Sequence, residues 1–178
     1  MGPLVDASLT HFTLRPFQTS QTFANLQRTR EGVLHITDDV ELLAQAAVNR
    51  LQVKPAVEPA TVVRGFVLTG ACRWFEFHVR FGDLSEARAR LECDVVHQGR
   101  LRDFFGFNRA KHAVIEAAIL ATRRHLLPPD ELAAELLRLR PLVDKTGGES
   151  EHRAFALLEA FIRETLAGPP VWHDAPPS

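Results

Sequence analysis

Polar and apolar residues alternate in short runs through the first half of the chain, and beyond Asn108 the period changes to between three and four. Alternation is clearest over residues 73–81. There Phe75, Phe77, Val79 and Phe81 share one side and Glu76, His78 and Arg80 the other, with Trp74 the single break. Period two is the signature of a strand with one packed and one polar face. Residues 9–15, 33–37, 64–68 and 89–97 read as further strands, the last with Leu91, Cys93 and Val95 on one face after a turn at Gly82 and Asp83. Several short strands with few helices between them predict an antiparallel barrel or sandwich. Residues 38–47 predict one short amphipathic helix within this region, with Asp38, Asp39 and Glu41 as its acidic start. Residues 54–59 contain two prolines and read as a loop.

Three helices are expected in the second half. Residues 110–127 carry a small-residue face of Ala113, Val114, Ala117, Ala118 and Ala121, which offers a surface for close packing against a second copy. The next helix starts at Pro129, Asp130 and Glu131, with proline and acids in the first turn. The last covers residues 150–167 and carries Phe155, Leu158, Ile162 and Leu166. The linear division that follows is a barrel over residues 1–97, a helical part over 98–168 and a proline-rich, disordered tail over 169–178.

At 178 residues the chain can bury a substantial core. Its 21 basic and 22 acidic residues give a net charge of −1, which argues against a broad electrostatic footprint for nucleic acid or anionic membrane. No run of about 18 apolar residues is present. Cys72 and Cys93 lie in strand-like contexts and read as reduced packing residues, which points to the cytoplasm. The eight histidines are scattered and neither cysteine has metal-ligand spacing, so no metal site is expected. There is no tyrosine to act as acid or base, no glycine-rich dinucleotide or phosphate-loop signature, and no nucleophile elbow. Asp144-Lys145-Thr146-Gly147 is similar to the phosphorylated aspartate segment of cation pumps, but it joins two helices in a chain without membrane spans. A turn is the better reading, with Gly147 and Gly148 at positive φ.

The most informative stretch is residues 9–26. Pro16 biases Arg15 toward an extended conformation and ends the strand there, and Ser20 is placed to cap a short helix running to about Arg28. Unpaired N–H groups at that helix start, the Thr19, Ser20 and Thr22 hydroxyls and the Arg15 guanidinium could converge on one anion, a phosphate above all. The ordinary alternative is a capped helix beside a solvated arginine. Asn108, Arg109 and Lys111 open the long helix with cations at its unfavourable end. They answer either an anionic ligand or a carboxylate such as Asp103.

These blocks, residues 9–26, 33–39 and 103–119, resemble a family of small FMN-binding split-barrel proteins of unknown function, with a barrel N-terminal part and a helical C-terminal part. The similarity runs to about Leu166, and residues 106–119 are its most specific piece. The resemblance implies an α+β fold, an antiparallel FMN-binding split barrel followed by a helical region. It also implies a homodimer with flavin near the interface. FMN phosphate would be held by Arg15, Ser20 and Thr22, with Asn25 supporting the turn. Asn108, Arg109 and Lys111 would add to the site from the same or the neighbouring subunit. Related barrels imply NAD(P)H as a transient electron donor. The function expected is that of an FMN-dependent oxidoreductase of unidentified substrate, with a non-catalytic FMN-binding or sensing protein as the alternative. Members of the family usually begin with a further β-hairpin, and this chain is expected to start inside it.

Overall fold

A computed structural model of the chain describes residues 3–5 and 8–166. Met1, Gly2 and the expected tail over 169–178 lie outside the described residues. The chain forms two compact units, Met1–Thr37 with Pro55–Phe104, and Asp38–Lys54 with Phe105–Ser178. The sheet unit is interrupted by residues 38–54, which belong to the helical unit.

The sheet unit contains β1 (Leu4–Val5), β2 (His11–Leu14), α1 (Gln21–Thr29), β3 (Glu31–Ile36), β4 (Val57–Pro59), β5 (Phe66–Leu68), β6 (Arg73–Asp83) and β7 (Arg90–Arg100). Five strands pair in the order β1-β2-β7-β6-β3, all antiparallel, and β4 pairs with β5 as a separate hairpin. One face of the sheet buries Phe12, Phe77, Val79, Leu91 and Cys93 with Phe23 and Leu26 of α1. Phe12 and Phe77 meet edge to face at 5.0 Å. The opposite face is polar and carries Glu31, His78, Asp94, His11, Glu92 and Thr13 in facing registers.

Three expectations change here. The strand expected over residues 9–15 begins at His11, as β2, because Leu9 adopts a left-handed φ of 54°, which an extended strand does not admit. Residues 54–59 are not wholly a loop, since Val57–Pro59 pairs with β5. Pro59 sits at the end of that short strand, where its missing N–H costs least. Finally, two register shifts interrupt the β6–β7 pairing, the first with Val96 of β7 as the extra residue and the second with Arg80 of β6, which breaks the alternation of β6. The second turns Phe81 out of the core face, leaving it 58% exposed.

The helical unit consists of α2 (Val40–Ala47), α3 (Arg109–Thr122), α4 (Pro129–Thr146) and α5 (Glu149–Leu166). Its core joins Val40 and Ala44 of α2 to Leu132, Leu136 and Val143 of α4 and Phe155, Leu158 and Ile162 of α5. Ala113, Val114, Ala117, Ala118 and Ala121 of α3 are buried in that same core. The small-residue face is therefore covered within the chain and is not a surface for a second copy. The helix also stops at Thr122, short of residue 127. Gly147 follows α4 at φ −84°, so the expected positive φ is absent. Glycine is required there for space: an added Cβ would lie 2.6 Å from the Val143 carbonyl oxygen, which belongs to the backbone and cannot turn aside. Among the described residues no helix is long and apolar enough to cross a membrane.

Candidate functional site at the start of α1

Ser20 caps α1 as its sequence context predicts. Its backbone is extended, and its hydroxyl accepts the Phe23 N–H at 3.2 Å. The same hydroxyl donates to the Phe17 carbonyl at 2.7 Å, so its one proton is committed. Ser20 shapes the helix start and has no proton left for an anion. The next two N–H groups, those of Gln21 and Thr22, find no acceptor among the described residues. They are the orphan donors of a first helical turn. Thr19 and Thr22 are exposed, and their hydroxyls make no hydrogen bond among the described residues. Asn25, one turn into the helix, accepts from the Gln21 side chain at 3.1 Å and steadies that turn. No acidic residue occupies it.

The segment before α1 runs beside the chain that enters β7. Gln18 N–H donates to the Ala87 carbonyl, Ala89 N–H to that of Pro16, and the Gln18 amide to the carbonyls of Leu84 and Glu86. This pairing brings Arg88 to the site, a residue that sequence reasoning did not single out. The Arg88 guanidinium lies 3.7 Å above the centre of the Phe17 ring and donates to the Arg15 carbonyl at 3.2 Å. The Arg15 guanidinium donates to Glu86 at 3.3 Å. With Arg15 46% and Glu86 72% exposed, that ion pair is screened by water and readily exchanged for another anion. The start of α1 thus offers two open backbone N–H groups and two exposed hydroxyls at a positive helix end, and the segment leading into it carries the Arg15 and Arg88 guanidinium groups. This donor set suits a phosphate dianion.

The other three predicted site residues belong to the helical unit. Asn108 caps α3, with its Oδ1 accepting the Lys111 N–H at 3.0 Å and its Nδ2 donating to the Thr146 carbonyl. Lys111 answers a carboxylate, as the alternative reading had it, but the partner is Glu151 and not Asp103. Its ammonium donates to Glu151 at 2.8 Å and to the Asp38 carbonyl at 2.8 Å, tying the starts of α2 and α5 to α3. Burial alone would raise the Glu151 carboxyl, but Lys111 and the Gly148 N–H hold it below the ordinary carboxylate range. Asp103 pairs with Arg100 instead. Arg109 is exposed and makes no hydrogen bond or ion pair among the described residues.

Two other groups bear on chemistry. Cys72 and Cys93 are buried and outside any disulfide, and burial pushes Cys93 up to about 12, so it offers no thiolate. Among the described residues no three histidine, cysteine or acidic side chains are placed to hold a metal ion.

Comparison with known protein families divides the chain linearly. Residues 1–102 match the model described as protein of unknown function (DUF447) N-terminal domain, and residues 108–160 match the C-terminal model described as protein of unknown function (DUF447). A crystallised FMN-bound protein from Methanosarcina mazei, assigned to DUF447, superposes with a TM-score of 0.76 at 19% identity, over 90% of this chain and 85% of that one. A flavin reductase domain protein from Arthrobacter sp. FB24 gives 0.48 at 14% identity, over 58% of this chain and 67% of its own. An NADH:FAD oxidoreductase from Streptomyces globisporus gives 0.46 at 6%, over 55% and 63%. No curated protein matches the chain. Its fold is the expected antiparallel split barrel followed by a helical C-terminal region, and with both models matched over nearly its whole length the chain belongs to the DUF447 family.

Proposed function

We propose that this protein is an FMN-binding flavoprotein and works as an FMN-dependent oxidoreductase on a substrate yet to be identified. The observation that carries the reading is the cradle at the start of α1, in a chain whose fold is shared with an FMN-bound family member. Arg15 and Arg88 would supply charge to the FMN phosphate, the Gln21 and Thr22 N–H groups and the Thr22 hydroxyl would bond its oxygens, and Ser20 and Asn25 would hold the turn in shape. Arg109, of the same or the neighbouring subunit, would add charge. Asn108 and Lys111 would contribute through the helix start they organise. When bound, the flavin supplies the redox chemistry, while the protein supplies position and electrostatics. NAD(P)H is the electron donor we favour, and the two reduced thiols fit a cytoplasmic location.

Calorimetric titration with FMN and with riboflavin tests the phosphate reading. FMN is expected to bind at least tenfold more tightly, since one charge-assisted hydrogen bond is worth about 1.5–3 kcal/mol. Equal affinities would remove the α1 cradle from the site. Rapid oxidation of NADH or NADPH by the FMN-loaded protein supports the enzyme, and its failure with both favours the non-catalytic alternative.

A homodimer is the assembly we propose. What supports it is a set of aromatic side chains left in water, Phe105 at 70% exposure and Phe107 fully exposed, on a segment fixed by the bond from the Phe105 N–H to Asp38. Aromatic rings held out on an anchored backbone mark a contact surface. Light scattering at micromolar concentration should give twice the chain mass. A monomer in the presence of FMN would contradict the assembly.

A further inference from the structure

Three polar ties hold the β4–β5 hairpin to the polar face of the five-stranded sheet. At the tip, the buried Glu76 carboxylate of β6 accepts the backbone N–H groups of Thr61 at 2.8 Å, Val62 at 2.6 Å and Val63 at 3.0 Å. Next to it, Arg64 Nε donates to Glu31 of β3 at 2.9 Å. At the base, the Leu68 N–H donates to His35 Nε2, also on β3, at 3.0 Å. The hairpin lies close to β3, for a Cβ built on Gly65 would stand 3.0 Å from Val33. It buries Val63 and Val67 and leaves Val57, Val62 and Phe66 in water.

A backbone N–H can only donate, so His35 Nε2 must present a lone pair. The ring is therefore neutral and carries its proton on Nδ1. An imidazolium would aim N–H at N–H and push the hairpin away. Both carboxylates act as charged acceptors and weaken when protonated. All three ties thus fail in the same direction, and the histidine fails first. We propose that the β4–β5 hairpin is an acid-released flap, latched at neutral pH by His35 on the Leu68 amide and seated at its tip by Glu76 and Glu31.

The surroundings of His35 agree. Opposite it on β6 stands Trp74, followed on the same face by Glu76, whose own opposite on β7 is His97. Glu31 shares the face of His35 along β3 and has His78 Nε2 3.7 Å away. Glu58 is the titratable residue of β4, and β5 has none. None of these groups shifts His35, whose pKa is lowered by burial alone. The Arg64 guanidinium likewise holds Glu31 below its ordinary range. A group whose folded pKa is depressed supports the latched form above its free value and loses that support as pH falls through the folded value. With a free histidine near 6.5, flap opening should rise by at most about tenfold at pH 5.5.

Amide hydrogen exchange of the full chain, expressed as protection factors, reads this directly. Between pH 7.5 and 5.5 the protection of Leu68, Thr61, Val62 and Val63 should fall, by up to about tenfold, against β6 and β7 amides. His35→Gln, whose side-chain oxygen accepts without titrating, should abolish that dependence. Nitrogen shifts of the wild-type ring at pH 7.5 should report the Nδ1–H tautomer, so the proposal remains testable if the variant fails to fold. It is overturned if Leu68 tracks the control amides, if the Nε2–H tautomer is found, or if His35→Gln keeps the wild-type dependence.

Discussion

Replacing Arg15 and Arg88 together by alanine should lower FMN affinity by about a hundredfold to several thousandfold while leaving riboflavin affinity within about threefold. Each guanidinium would make a charge-assisted bond to the phosphate, worth about 1.5–3 kcal/mol, and every 1.4 kcal/mol is a factor of ten. The two losses should fall short of a full sum because both act on one dianion. Arg88 also lies over Phe17 and bonds the Arg15 carbonyl, so its removal loosens the turn as well as taking away a charge. Riboflavin separates these effects, since a collapsed turn would weaken both ligands alike. An FMN dissociation constant unchanged in the double variant would refute the assignment of this cradle to the phosphate. Raising salt should weaken FMN binding to the wild type and matter far less for the variant.

How much of this site could be read from the chain follows from the distances along it. The Ser20 cap was legible because a cap is local: an extended residue with a short hydroxyl just ahead of a helix satisfies a donor three residues on. Arg88 was not legible. It reaches Arg15 only because residues 84–89 return antiparallel to residues 15–18, and nothing near position 88 announces that pairing. The alanine face of α3 misled for a different reason. A helical stripe of small residues looks the same whether its neighbour is another chain or the same one, and here α2, α4 and α5 cover it. The break of alternation at Arg80 is invisible to a period count, because a bulge inserts a residue without changing composition. The two prolines of residues 54–59 hid a strand too short to alternate.

Glu76 shows the same limit and carries the largest expected loss of stability. In the sequence it is one polar residue of an alternating strand. In the fold it is the buried acceptor for three successive N–H groups of the hairpin loop, with the Trp74 indole N–H at 3.4 Å as a fourth donor. Burial by itself would raise the carboxyl, but these donors outweigh it and hold the group below the ordinary carboxylate range. Glu76→Leu keeps the volume roughly and removes the acceptor, leaving buried donors that cost about 1–3 kcal/mol each when unpaired. Some will reach water as the loop lifts, so a net loss of about 3–5 kcal/mol is expected at pH 7. Denaturant unfolding followed by Trp74 fluorescence in a Trp172→Phe background measures it. The sign with pH is fixed by the depressed carboxyl: its contribution is complete above the free carboxylate value near 4.5 and is lost as pH falls through the lower folded value. The gap between wild type and Glu76→Leu should therefore narrow below about pH 4.5. A loss under about 1 kcal/mol at pH 7 would mean that water serves the loop as well as the carboxylate does, and a gap that widens in acid would mean that the buried group is not an anion.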